Sequence, residues 1–153
     1  MDLPLPPDFR EFLQLLNSAK AEYLVVGGYA VSYHGYPRPT GDLDIWIAIH
    51  PQSASKMMEV LSKFGFAGAG ATAELFTTPG KVIRMGEPPV RIEILTTISG
   101  VEFAACFARR IQCVIDGITV NIISREDLIS NKIAAGRPKD FNDLSHLNQG
   151  GSP

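Results

Sequence analysis

The sequence predicts an α+β fold, a mixed β-sheet of about five strands sandwiched with flanking helices. Three observations carry that expectation. Short apolar or alternating runs bounded by turn residues recur between residues 23 and 122, which is the pattern of strands. Segments with apolar residues at helical spacing are interleaved with them and close the chain. A length of 153 residues, 45% hydrophobic and 20% charged, suits one domain with a substantial core.

Residues 1–7, with Pro4, Pro6 and Pro7, read as a flexible N-terminal tail, and a single domain is expected over 8–147. Residues 8–21 place Phe9, Phe12, Leu13 and Leu16 on one helical face, with Asp8 as N-cap. Residues 23–26 form a buried strand, and 28–34 a helix opened by Gly27-Gly28. Residues 42–49 alternate, with Leu43, Ile45, Ile47 and Ile49 on one face and Asp42, Asp44, Trp46 and Ala48 on the other. A helix over 51–64 turns Met57, Met58 and Leu61 to the core and ends at Gly65. The Gly-, Ala- and Thr-rich stretch 65–80 is expected as an irregular loop over the site.

Residues 81–85 and 90–95 read as a strand pair around Gly86-Glu87-Pro88-Pro89, and 101–110 is ambiguous, with a short helix the preferred reading. Strands 111–115 and 118–122 meet at Asp116-Gly117, a strong hairpin signal. Ser124, followed three residues on by Asp127, opens a helix to Ala135. Gly136-Arg137-Pro138 breaks it, a last helix covers 139–147, and 148–153 is a polar tail.

A net charge of −2 and a pI near 5.9 leave no broad basic field for bulk nucleic-acid binding. Cys106 and Cys113 match neither a metal spacing nor a disulfide framework and read as reduced, buried thiols. No targeting segment or long apolar run is visible, so a cytoplasmic protein without a membrane segment is expected.

The chemistry concentrates in residues 25–47, VVGGYAVSYHGYPRPTGDLDIWI. Two aspartates two residues apart on a strand point the same way, roughly 7 Å apart along the backbone. Adjacent anions on one face are costly unless a cation lies between them. Divalent ions are the usual solution, and the glycine pair offers bare backbone N–H groups to the phosphates such ions accompany. Glu93 in VRIEIL is a candidate third carboxylate. Taken alone it reads at least as well as a solvated residue paired with Arg91; beside Asp42 and Asp44 the site reading is favoured. His34 reads as packed rather than catalytic. Trp46 either borders the pocket or packs under a flanking loop.

The ordered pattern GG-x-A-x-x-x-HG-x-x-R-x-T-x-D-x-D, spanning Gly27 to Asp44 and including Arg38, resembles the nucleotidyltransferase superfamily built on the DNA polymerase β-like palm. Within it, the chain is most similar to small bacterial proteins related to the AbiE-type toxin nucleotidyltransferases. Lys132 followed by Arg137-x-Lys139-Asp140-x-x-Asp143 is similar to a second block of those toxins. The resemblance implies that Asp42 and Asp44 ligate two Mg²⁺ ions, with Glu93 completing the shell and helping to take the acceptor proton. It implies that Gly27 and Gly28 lie against the triphosphate and that Thr40 and Lys132 bind phosphate. Arg137 and Lys139 would add charge there or hold the acceptor. Asp140 and Asp143 also read as structural, capping the last helix or pairing with Arg137.

The implied reaction is transfer of an NMP from an NTP, ATP among them, to a hydroxyl on a tRNA or protein in a toxin–antitoxin or defence setting, with an antitoxin as partner. A small-molecule acceptor of the aminoglycoside or lincosamide kind, or a non-catalytic nucleotide-binding module, are the alternatives. The chain is short beside the larger toxins, so a partner or a second copy in an oligomer would supply the acceptor surface.

Overall fold

The computed structural model describes residues 5–37, 40–66 and 71–150, with side chains as far as Leu147. The elements run α1 (Pro7–Ser18), β1 (Tyr23–Val26), α2 (Gly27–Tyr33), β2 (Asp42–Ile47), α3 (Pro51–Phe64), a 3₁₀ turn (Ala73–Thr77), β3 (Val82–Glu87) and β4 (Val90–Leu95). They continue with α4 (Phe103–Ala108), β5 (Ile111–Ile115), β6 (Ile118–Ile122), α5 (Arg125–Ala135) and α6 (Pro138–Gly150). The expected α+β class holds, but the described sheet has six strands rather than about five, in the order β3-β4-β2-β1-β6-β5. β1 and β2 are antiparallel at its centre. Each continues outward through a parallel neighbour, β6 and β4, whose antiparallel hairpin partners, β5 and β3, form the edges.

The period-2 pattern of β2 settles its orientation. Leu43, Ile45 and Ile47 are at most 1% exposed, and β1 is buried along its whole length. Fully burying each such side chain contributes on the order of 1.5–3 kcal/mol. Phe12 of α1 meets Phe64 of α3 edge to face at 5.2 Å, and Phe9 meets Tyr29 of α2 at 5.8 Å, tying three helices into one core. On the opposite face of β2, Trp46 is also buried, edge-on to Phe103 of α4. That face is therefore closed at the Trp46 end and open at the Asp44 end. Trp46 packs beneath α4 and does not line the cavity described below.

Several boundaries differ from the sequence reading. α1 begins at Pro7, with Pro6 rather than Asp8 in the N-cap position, because a proline at the first helical position has no N–H to leave unpaired. Within the expected tail, Leu5 is buried and its N–H reaches Asp116 Oδ2 at 3.4 Å. An apolar side chain near the hairpin finds a ready site in the core. The described part of the expected loop over the site forms the 3₁₀ turn, which docks on α3 and buries Phe76. One aromatic in a polar stretch is enough to anchor it there. α6 continues through residues 148–150 of the expected tail, while 1–4, 38–39, 67–70 and 151–153 lie outside the described residues. The Asp116-Gly117 hairpin forms as expected, with both residues at positive φ, 51° and 78°. Ser124 Oγ accepts from Asp127 N at 3.1 Å, capping α5.

Candidate active site

Strand register brings the acidic residues together. On the parallel pair β2–β4, Asp42 lies opposite Arg91 and Asp44 opposite Glu93, while Val26 at the end of β1 lies opposite Asp44. Asp42, Asp44 and Glu93 therefore share one face of adjacent strands and line one cavity of about 500 Å³ with Gly27, Gly28, Lys132, Arg137 and Lys139. Thr40 lies apart, in an adjoining cavity of about 360 Å³ that also reaches Gly28, Asp42, Asp44, Lys139 and Asn142. Its hydroxyl donates to the Asp42 carbonyl at 3.3 Å. Arg38 lies outside the described residues.

Gly27 is fixed by what faces it. Its φ is +66°, and a Cβ there would run into the Asp44 carboxylate. The strand-to-helix turn thus lets the carboxylate lie directly against bare backbone, a close approach only glycine permits.

The electrostatics of the three carboxylates are unequal. Burial, reinforced by the charges of Glu93 and Asp42, raises the Asp44 pKa from 3.8 to about 6, with Lys139 and Lys132 pulling the other way. Asp42 and Glu93 are joined through a cation supplied by the chain itself. Arg91 forks onto Asp42, Nε to Oδ1 and Nη2 to Oδ2, both at 3.1 Å, and the same Nη2 lies 3.0 Å from Glu93 Oε1. Arg84 of β3 adds a longer contact to Glu93 at 3.4 Å. Glu93 is thus only 14% exposed yet has partners, as a half-buried charge requires.

Lys132 lines the cavity with its ammonium already engaged. It is 3% exposed, and its Nζ lies 3.0 Å from Asp140 Oδ1 and 3.1 Å from Asp143 Oδ2, both carboxylates buried as well. Asp140 also takes hydrogen bonds from the Arg137 backbone N–H and guanidinium. Burial alone would raise the Asp140 pKa, but the bonds from Arg137 and Lys132 outweigh it and bring it down to about 2. This network pins α6 to α5 beneath the cavity and explains the second sequence block. Lys132, Asp140 and Asp143 form its buried centre, whereas Lys139 stays exposed at the rim and the Arg137 guanidinium is half exposed.

As a metal site, the carboxylates fit in type: oxygen-only donors suit a hard divalent ion such as Mg²⁺. Burial, and after it the charges of Glu93 and Asp42, raise the Asp44 pKa, and a cation beside the carboxylates would offset both. Among the described residues, no three His, Cys, Asp or Glu side chains are gathered closely enough to hold an ion; Arg91 instead links two of the three carboxylates. Sequence reasoning paired Arg91 with Glu93 but missed its fork onto Asp42 and the approach of Arg84. The signal for Arg84 lay in the register of the hairpin around residues 86–89.

Two solved structures share this architecture. One is an antigenic nucleotidyltransferase-like protein from Paracoccidioides brasiliensis, 18% identical with TM-score 0.55, matching 95% of this chain and 78% of its own. The other is a candidate nucleotidyltransferase from Thermotoga maritima, 17% identical with TM-score 0.59, matching 92% and 91%. At such identities the likeness establishes the fold. A search of curated proteins finds no match. No helix among the described residues is long and apolar enough to cross a membrane. A family model described as "Nucleotidyl transferase of unknown function (DUF2204)" matches residues 7–150, nearly the whole chain, and the protein belongs to that family.

Proposed function

We propose that the protein is a Mg²⁺-dependent nucleotidyltransferase that moves an NMP from an NTP, ATP among them, to a hydroxyl acceptor. One observation carries this reading: Asp44 and Glu93 stand opposite each other on parallel strands, with Asp42 on the same face, in a cavity that also holds Gly27, Gly28, Arg137 and Lys139. Asp42, Asp44 and Glu93 would hold the divalent ions. Bound there, Mg²⁺ supplies charge neutralisation of the triphosphate and lowers the cost of ionising the acceptor hydroxyl. Gly27 and Gly28, at the start of α2, are assigned to the triphosphate through their backbone N–H groups, and Arg137 and Lys139 add positive charge at the rim. In the transfer, the acceptor oxygen bonds to the α-phosphorus, the bond to the β-phosphate oxygen breaks, and pyrophosphate leaves. Glu93 is assigned a share in taking up the hydroxyl proton. Positioning and charge neutralisation supply the catalysis.

For the acceptor, the motif resemblance favours a hydroxyl on tRNA or on a protein, in a toxin–antitoxin or defence setting with an antitoxin as natural partner. The adjoining cavity of about 360 Å³, lined by Thr40 and Asn142, is small enough to support a small-molecule acceptor as the second reading. The two free cysteines and the NTP requirement fit a cytoplasmic site of action. The test is incubation with each α-labelled NTP in Mg²⁺ together with total tRNA, lysate protein or a panel of hydroxyl-bearing small molecules. Label should appear in one fraction with the native protein and vanish with Asp44→Asn. Tight nucleotide binding without transfer to any fraction would overturn the catalytic reading.

A further inference from the structure

The Arg91 guanidinium stands where the proposed chemistry calls for free carboxylate oxygens. A carboxylate set that receives a divalent ion needs its oxygens free, yet Arg91 forks onto Asp42 with two 3.1 Å hydrogen bonds and reaches Glu93 at 3.0 Å with the same nitrogen. It is not a surface accident. Arg91 lies directly opposite Asp42 in the β2–β4 ladder and two residues before Glu93 on the same face, so the backbone register delivers it between the two. Its side chain is 29% exposed, leaving an open route to the cavity it also lines. Asp44 remains outside the fork.

We propose that Arg91 is an exchangeable internal cation, a positioning residue that holds Asp42 and Glu93 together and competes with the divalent ion for them. Metal binding then requires the fork to open, and the released guanidinium turns toward the cavity, where the phosphates of the nucleotide are its nearest new partners. A planar guanidinium suits both roles, since carboxylate and phosphate offer the same paired oxygens. The site would take its metal weakly on its own and more tightly with nucleotide, because the phosphates stabilise the open position of Arg91. The device lets a site of three carboxylates remain folded without metal: Arg91, with Arg84 of β3 on the same Glu93 oxygen, offsets repulsion that the fold would otherwise bear.

This inference rests on the reading that Asp42, Asp44 and Glu93 hold a divalent ion, and the test separates the two. Mn²⁺ is titrated into the folded native protein and into Arg91→Met, with free Mn²⁺ followed by electron paramagnetic resonance, first without nucleotide and then with a non-hydrolysable ATP analogue. Without nucleotide, Arg91→Met should bind Mn²⁺ at least tenfold more tightly than the native protein. With the analogue, the native protein should gain affinity for Mn²⁺ and the variant should gain markedly less. Equal or weaker binding in the variant would overturn the competition while leaving the metal site standing. No binding to either protein would overturn both. If Arg91→Met does not fold, Arg91→Lys, which keeps the charge but loses the fork, takes its place, with an intermediate gain in affinity expected and an unchanged affinity counting against the proposal.

Discussion

Replacing Asp44 by Asn should stabilise the protein at neutral pH while abolishing the proposed nucleotidyl transfer. The Asp44 carboxyl lies against Gly27, and its burial, reinforced by the charges of Glu93 and Asp42, raises its pKa from 3.8 to about 6. A carboxyl with a raised folded-state pKa keeps its proton in the folded state after the unfolded chain has lost it. The folded state therefore binds more protons between about pH 4 and 6, so stability falls as pH rises through that window and stays reduced above it. Each pKa unit corresponds to about 1.4 kcal/mol, so the full penalty above pH 6 approaches about 3 kcal/mol. Asparagine cannot ionise and escapes it. In metal-free buffer at pH 7.5, urea denaturation should show Asp44→Asn more stable by about 2–3 kcal/mol, or roughly 5–10 °C in Tm. Most of that gain should disappear by pH 4. Saturating Mg²⁺ should narrow the gap from the other side, by stabilising the native protein alone. A variant no more stable at pH 7.5, or one whose advantage grows on acidification, would refute the account of Asp44 as a buried carboxylate crowded by its neighbours.

Lys132→Met should cost about 3–5 kcal/mol in urea denaturation, the range for removing one partner of a buried ion pair, since it strips the buried Asp140 and Asp143 carboxyls of their shared ammonium. A loss under about 1 kcal/mol would show that the network is not holding α6 to α5. Because the Asp140 pKa is depressed to about 2, its contribution is present above the unfolded value near 3.9 and fades as pH falls towards 2; an Asp140→Asn variant should converge on the native protein only in that acid range. Gly27→Ala should lose more stability than Gly65→Ala. Both sit at positive φ, but a Cβ at Gly65 meets nothing within 4 Å whereas one at Gly27 meets the Asp44 carboxylate; equal losses by thermal denaturation would leave only backbone strain. Lys139→Ala, at an exposed rim position, should raise the KM for NTP about tenfold yet shift stability by less than about 0.5 kcal/mol; an unchanged KM would remove Lys139 from the nucleotide site.

What the sequence makes legible follows from local physics. The alternation of β2, the Asp116-Gly117 turn and the Ser124 cap are each decided by neighbours within a few residues, and each appears where expected. The juxtaposition of Asp42, Asp44 and Glu93 was inferable because strand periodicity already put each on the non-core face. Long-range pairing was not. Nothing local says that Lys132 meets Asp140 and Asp143 rather than open solvent, because that depends on how α6 folds back on α5. Arg91 next to Glu93 is legible in a single strand. Its fork onto Asp42 requires the β2–β4 register, which joins residues 49 positions apart. Leu5 was hidden by its prolines: composition suggested a tail, but one leucine near a hairpin was enough to dock it.

The site is also divided between two parts of the sheet. Gly27, Asp42 and Asp44 sit on the central β1–β2 pair and its turn, whereas Arg84, Arg91 and Glu93 all ride on the β3–β4 hairpin, which joins the rest of the sheet along β2 alone. Local opening in a folded protein proceeds by contiguous units of this size. Should the hairpin detach, it would carry away the third carboxylate and both arginines in one event, leaving the aspartate pair behind with no partner in β4. The integrity of the carboxylate cluster thus depends on one seam of backbone hydrogen bonds within the sheet, and amide exchange at Arg91, whose N–H donates to the Gly41 carbonyl across it, would measure how often that seam is closed.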